Sequence, residues 1–302
     1  MSAASAETAG LPVEPVTAKR SYRGGGLLTQ LTRSPSGFAG LILVVVIVGV
    51  SLIAPIFVEA PSADVNLIWT PPSSAHLLGT NGSGEDILKL VLRGGTTVIF
   101  VGFGAAALTT AIAIVMGSLA AYFRGRFDAI ALQITDIVMT IPTIVLLAVL
   151  GAFFQLNSPV ALAALLGAFT WPVLMRSIRA QVLSLKEREF VEAARLLDLG
   201  TMRVVFVEIV PNMASYILIN FIIAITNAIY ALVGLYLLGL APMAGSNWAI
   251  MINDAWTSGA MFNPNAMSYI FSPVAAIILL QLGLIMLSRS LEEILNPRLR
   301  DR

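Results

Sequence analysis

Cysteine is absent from the 302 residues, and histidine occurs once, at position 76. The first absence excludes disulfides, thiolate catalysis and cysteine-ligated metals; the second excludes a multi-histidine metal site. Charge is also scarce. Charged residues make up 12% of the chain, against about 25% in soluble domains. Such a chain cannot clothe a globular surface in polar groups. The net charge of +1 offers no basic field for nucleic acid. There is no Gly-x-x-x-x-Gly-Lys-Ser/Thr phosphate loop, so nucleotide hydrolysis would have to come from another polypeptide. No Ser-His-Asp or paired-carboxylate arrangement suggests catalysis, and the chain reads as a non-enzyme.

What is present is apolar sequence, 57% of the residues, arranged in runs long enough to cross a membrane, for which roughly 20 mostly apolar residues are needed. Residues 1–37 are an Ala/Ser/Pro/Gly-rich tail with Lys19, Arg20, Arg23 and Arg33. Phe38 to Phe57 is uncharged and too long for a signal-peptide core, so it reads as a retained first span. Val98 to Phe123 supplies the second. Ile137 to Met175 is broken at Asn157, Ser158 and Pro159, which predicts a third helix over 129–154 and a fourth over 160–175. A fifth starts near Asn212 and ends in 239–245, and a sixth covers 268–287. The organisation is a tail (1–37), a first span (38–57), an outer loop (58–97), a membrane core (98–290) with an internal loop at 184–211, and a second tail (291–302).

The basic residues orient these spans. Six spans with both termini cytoplasmic put sixteen of the 18 Lys and Arg inside, leaving only Lys89 and Arg93 outside. The long outer loop ends in Asp86 to Arg93, which reads as an interfacial amphipathic helix ahead of the second span. Its His76, beside Glu85 and Asp86, reads as a solvated side chain rather than a ligand. Trp248 and Trp256 fall in another outer stretch, as an aromatic belt or as substrate contacts.

Polar residues inside the spans are few. Asp136 is the one acid well within a predicted span, where a charge costs roughly 2.5–3.5 kcal/mol on insertion scales. It is either a pathway or gating group or a helix–helix hydrogen-bond partner. A proton relay lacks an intramembrane partner. Asn220 and Asn227 lie seven apart on one face of the fifth helix, with Thr226 and Tyr230 nearby. That stripe either lines a pathway for a polar solute or joins helices.

The loop at 184–211 is the most charged part of the chain. Phe190, Ala193, Ala194 and Leu197 recur at helical spacing, with Glu189, Glu192, Arg195 and Asp198 on the other sides. The pattern predicts a short amphipathic helix outside the membrane, ending near Gly200, with Pro211 in the first turn of the next span. The small Ala193 and Ala194 beside Glu192 would let a partner surface approach closely.

Glu192-Ala193-Ala194, then a glycine, then Ile209-Val210-Pro211 resembles the EAA loop of ABC importer permeases, with the same Glu-to-Pro spacing of 19. The family's glycine falls where this chain has Asp198; Gly200 lies two residues later, which predicts a helix half a turn longer. Further stretches resemble the peptide/nickel (dipeptide/oligopeptide) branch: Leu78 to Asp86, similar to LGTDxxGRD with Asn81 and Glu85 as departures; Asp136 and Pro142; Leu238-Gly239-Leu240 and Trp248; and Asn296-Pro297-Arg298. The resemblance implies an all-α membrane protein with six transmembrane helices, a type I permease fold and a cytoplasmic coupling helix. It implies ATPase-coupling roles for Glu192, Ala193, Ala194, Arg195, Gly200 and Pro211; the candidate pathway residues read from the spans and outer stretches are Asp136, Asn220, Asn227, Tyr230 and Trp248. The implied partners are a homologous second permease, two ATPase subunits that bind ATP and Mg²⁺, and an extracytoplasmic solute-binding protein; no cofactor or metal is expected on this chain.

An oligopeptide is the implied substrate. Leu232, where the family has an acid, and Asn247-Trp248-Ala249, where it has Ser-Trp-Gly, open an oligosaccharide alternative; nickel is a third, for which the chain offers no ligands. An ion-coupled secondary transporter would need inverted repeats and intramembrane ion-coordinating groups, and no clear repeat is visible. A scaffold with no transport role is the remaining rival.

Overall fold

The computed structural model describes residues 31–295, apart from 33, 154, 155, 157 and 244. The basic tail residues Lys19, Arg20, Arg23 and Arg33, the Asn157 break and the Asn296-Pro297-Arg298 motif therefore lie outside the described residues. Within them the chain is helical, and five helices are long and apolar enough to cross a membrane. A pair of helices bent by 86° at a short break is apolar enough to make a sixth if the two together count as one span.

Helix α1 is Pro35–Phe57, opened by Ser34, whose Oγ accepts from the Gly37 amide at 3.3 Å. Its buried positions are Gly37, Gly40, Ser51 and Ala54, the small residues that let neighbouring helices approach without a water-driven core. Helix α2 runs unbroken over Ile87–Phe123. The expected interfacial helix over 86–93 is thus the first two turns of the second span, and the whole rod is about 55 Å long at 1.5 Å per residue. Gly94 and Gly95 do not interrupt it, because Trp248 and Ser51 pack where their side chains would be.

The third span is two helices rather than one, α3 (Gly125–Thr140) and α4 (Thr143–Phe153). Pro142 is the cause. A proline disfavours helical geometry at the residue before it, and Ile141 is extended, with φ −88° and ψ 125°. Helix α5 covers Pro159–Leu185, started by the Ser158 cap. It continues ten residues past the predicted end at Met175. Its charged last turns persist because Arg176 and Arg179 are neutralised by Asp136 and Asp128 of α3. Arg176 and Arg179, beyond the predicted end of the fourth span, are helical.

Helix α6 (Glu189–Leu196) follows after a three-residue turn. A wide turn with π-type hydrogen bonding (Val204–Ile209) and a short helical turn (Val210–Asn212) lead to a kink at Met213. Helix α7 is Ala214–Leu237, α8 is Trp248–Thr257 and α9 is Met267–Leu295. Pro211 therefore sits in the turn before the fifth span, not in its first turn.

Helix α2 packs most extensively on α5, and α9 on α1. Two apolar cores result. One joins α2, α4, α5, α7, α8 and α9 around Leu166, Ile225, Ile229, Leu232 and Trp248. The other gathers at the opposite end, where Val191 and Ala194 of α6 pack with Ala120, Ala121, Ala131, Met175, Ile178 and Val182. The short amphipathic helix is thus built into the end of the bundle.

Candidate functional site

Two features carry the functional candidates: the face of α6 turned away from the bundle, and a groove beside the broken helix. On α6 the side chains separate cleanly. Val191 is fully buried and Ala194 is 5% exposed. Phe190, Glu192, Ala193, Arg195, Leu196 and Leu197 are exposed. The predicted apolar face is therefore split: Ala194 belongs to the fold, while Phe190, Ala193 and Leu197, at i, i+3 and i+7, form an outward apolar stripe next to Glu189 and Glu192. Arg195 leans back over the ring of Tyr122, 5.4 Å from its centroid. The Lys186 Nζ donates to the Ala121 carbonyl at 3.0 Å. The two ties hold α6 and the turn before it against the end of α2. Burial pushes the Lys186 ammonium below its ordinary value, and Arg124 adds to that.

The helix ends earlier than expected. Asp198 takes the left-handed conformation, φ +50°, its amide donates to the Arg195 carbonyl at 2.9 Å, and the Leu199 amide donates to the Ala194 carbonyl at 3.2 Å. This is a Schellman end with Asp198 at the position glycine favours. Gly200, with φ −56°, starts the next turn. The half-turn extension is not present, and the reversal falls on Asp198, not Gly200.

The groove lies between α3–α4, α5 and α7. A cavity of about 460 Å³ is lined by Met139, Thr143, Thr170, Val173, Asn227 and Tyr230, among others. A smaller one of about 100 Å³ adjoins it through Thr170, Val173 and Asn227, and adds Thr109, Ser177 and Asn220. Asn220, Asn227 and Tyr230 thus come together as the face of α7 predicted. Asn220 is turned partly inward, its Nδ2 donating to the Tyr216 carbonyl at 2.9 Å. Asn227 and Tyr230 are exposed to the groove, and neither makes a hydrogen bond among the described residues. Thr109, Thr170 and Ser177 were missed by sequence reasoning; the first two are small hydroxyls in apolar runs and the third sits between Arg176 and Arg179, and only helix phase relative to α7 could have selected them.

Asp136 does have a basic partner: it accepts from Arg176, one turn from the groove residues Val173 and Met139. Trp248 does not join the groove. It is 2% exposed, with its Nε1 donating to the Val91 carbonyl at 2.7 Å, so neither the belt nor the substrate-contact reading holds; Trp256, by contrast, is exposed. Leu232, Asn247 and Ala249 are buried as well. The residues that raised the oligosaccharide alternative serve packing and helix capping: the Asn247 Oδ1 accepts from the amides of Ala249 and Ile250. His76 is held by Asp86, Nδ1 to Oδ2 at 2.8 Å, rather than solvated alone. Among the described residues no group of three or more His, Cys, Asp or Glu could hold a metal ion.

An all-α multi-pass bundle with a mostly apolar groove that carries a few amide and hydroxyl groups beside a broken helix, and a short amphipathic helix at one end, is the architecture of a membrane permease. The sequence comparisons give the family. The profile described as "Binding-protein-dependent transport system inner membrane component" matches residues 113–301, and the chain belongs to that family. It is 32% identical over 264 residues to a putative peptide permease protein of Brucella abortus, with 86% of each chain covered. It is likewise 32% identical over 273 residues to the oligopeptide transport system permease protein OppC of Bacillus subtilis, covering 86% of this chain and 85% of that one. The OppC protein of Mycobacterium tuberculosis is 33% identical over 177 residues, 58% of this chain and 61% of that one. The chain is a permease subunit of an ABC importer, and not itself an enzyme.

Proposed function

We propose that this chain forms half of the translocation pathway of a peptide importer and receives the stroke of ATP hydrolysis through α6. The carrying observation is the outward stripe Phe190, Ala193 and Leu197 beside Glu192, on a helix whose other face is fixed in the bundle. A helix anchored on one side and apolar on the other is suited to a partner's groove. The proposed assembly has a homologous second permease, two ATPase subunits that carry ATP and Mg²⁺, and an extracytoplasmic solute-binding protein. The α6 end, which gathers Arg124, Arg126, Lys186, Arg188, Arg195 and Arg203, is the cytoplasmic one by the positive-inside rule, and both termini lie on that side.

The peptide substrate is supported by the names of the relatives and by the uncharged groove, in which Thr143, Thr170, Asn227 and Tyr230 offer hydrogen bonds within a mostly apolar lining, a mix that suits a peptide main chain with varied side chains. The roles of Asn220, Asn227, Tyr230 and Asp136 in the pathway, and of Glu192, Ala193, Arg195 and Pro211 in coupling, belong to this proposal. The test is uptake of labelled oligopeptides, measured beside ATP hydrolysis, in vesicles holding the assembled transporter. Glu192→Lys and Ala193→Trp should abolish uptake with the permease still inserted. Normal peptide uptake by both variants would overturn the coupling assignment. Transport that survives ATP depletion but collapses with the ion gradient would overturn the ATP-driven reading.

A further inference from the structure

Helix α3 is weakly packed for a membrane segment: of its sixteen residues only Ala131 and Thr135 are buried. Beside Ala131 in the core at the α6 end and an edge contact of Phe127 with Phe123, two ion pairs tie it to the bundle. Arg179 of α5 grips Asp128 in a two-pronged fork, Nε to Oδ1 and Nη2 to Oδ2, both at 2.6 Å. The pair is largely shielded, with side-chain exposures of 24% and 13%. Arg176 bonds Asp136 two turns further along α3, but in the open, at 39% and 64%. The two ties differ in kind. The first is fixed in direction by two bonds and shielded; the second is a single contact between exposed side chains.

The path on either side of the fork is continuous. Helix α5 extends without a break to Leu185. Hydrogen bonds from the Lys186 and Arg188 amides to the Val182 and Leu185 carbonyls carry it into α6, and Met175, Ile178 and Val182 share a core with Val191 and Ala194. A displacement of α6 therefore moves the end of α5 with it. Helix α3 has little packing through which to follow. Its far end is the Pro142 break, and Val138, Met139 and Thr143 on either side of that break line the groove.

We infer that Asp128 and Arg179 are positioning residues that carry the movement of α6 to the broken helix, so that the ATPase stroke reaches the groove through this fork. The inference rests on the proposal that α6 docks the ATPase. The geometry of the fork matters, and not only its charge: Lys in place of Arg179 keeps the charge and cannot grip both carboxylate oxygens.

The test uses the assembled transporter in proteoliposomes, with solute uptake, ATP hydrolysis and the amount of co-purified ATPase measured on one preparation. Arg179→Lys and Asp128→Asn should leave assembly and ATP hydrolysis within about twofold of the parent and cut uptake about tenfold, so that ATP consumed per solute rises by the same factor. Uptake falling only in step with assembly would show a merely structural pair and overturn the inference, as would unchanged uptake in Arg179→Lys, the variant least disturbing to insertion. Glu192→Lys separates the two levels. If it transports normally, the docking assignment itself has failed. If it abolishes uptake while both fork variants transport normally, docking stands and the fork has no part in it.

Discussion

The indole nitrogen of Trp248 donates to the carbonyl of Val91 at 2.7 Å, 157 positions earlier in the chain. The bond pins α8 across the first turns of α2, over a floor made by Gly94 and Gly95. A Cβ on Gly95 would lie 2.5 Å from a carbon of the Trp248 ring and collide with the Ser51 Oγ. Both obstacles are fixed by packing, so Gly95→Leu should cost about 1–3 kcal/mol by overpacking and lower the thermal midpoint of the detergent-solubilised protein. Gly49→Leu is the matched control on α1, where a Cβ meets nothing within 4 Å, and its midpoint should not fall, since leucine is the better helix former. Equal midpoints for the two variants would rule out a tightly fitted floor.

The end of α6 makes a prediction of opposite sign. Asp198 holds φ +50°, a conformation that costs a residue with a Cβ about 1 kcal/mol and glycine almost nothing. Asp198→Gly should therefore raise the thermal midpoint and keep uptake at the parental level. Asp198→Val should lower it, because a β-branched side chain fits this region worst. A glycine variant less stable than the parent would mean that the Asp198 side chain makes a compensating interaction.

These two sites show what was legible in the sequence. The apolar runs and the split of basic residues were enough for six spans, because hydropathy and charge bias act over whole segments. Pro142 was visible, but whether it bends or breaks a helix depends on what packs around it. Here α3 has little packing to hold it straight. The end of α5 was misjudged for a similar reason: Arg176 and Arg179 read as loop until Asp136 and Asp128 are known to face them. Asn220, Asn227 and Tyr230 came together because one helix's periodicity governs all three. Trp248 was misplaced because a tryptophan near a span end looks the same in a belt and in a core. In the outer loop the two departures from the family pattern turn out to contact each other, Asn81 Nδ2 donating to Glu85 Oε2 at 2.8 Å. No inspection of either position alone would have paired them.

Lys186 gives a pH dependence. It is 6% exposed, and burial, reinforced by Arg124, lowers its pKa below the ordinary 10.5, with Glu187 acting in the other direction. The folded chain thus binds this proton less tightly than the unfolded chain does. Between the lowered value and 10.5 the unfolded state carries more protons, so this group makes stability rise as pH increases through that window. Below the window the group is charged in both states and its burial penalty is fully present. Thermal midpoints of Lys186→Gln and the parent, taken from neutral pH upward, should differ by an amount that changes through the window and is constant below it. A constant difference at every pH would show that the buried amine does not titrate differently on folding.

Asn227 and Tyr230 are exposed to the groove without hydrogen-bond partners among the described residues, whereas the Asn220 amide is already committed to the Tyr216 carbonyl. If the groove carries a peptide, the two free groups have bonds to give it and Asn220 has fewer. One hydrogen bond contributes about 0.5–1.5 kcal/mol net, which corresponds to roughly two- to tenfold in a rate or affinity. Asn227→Leu and Tyr230→Phe should each reduce uptake by a factor in that range at unchanged assembly, and Asn220→Leu by less. The order carries the test. Should Asn220→Leu prove the most damaging, the stripe on α7 acts by holding helices together, and the solute passes elsewhere.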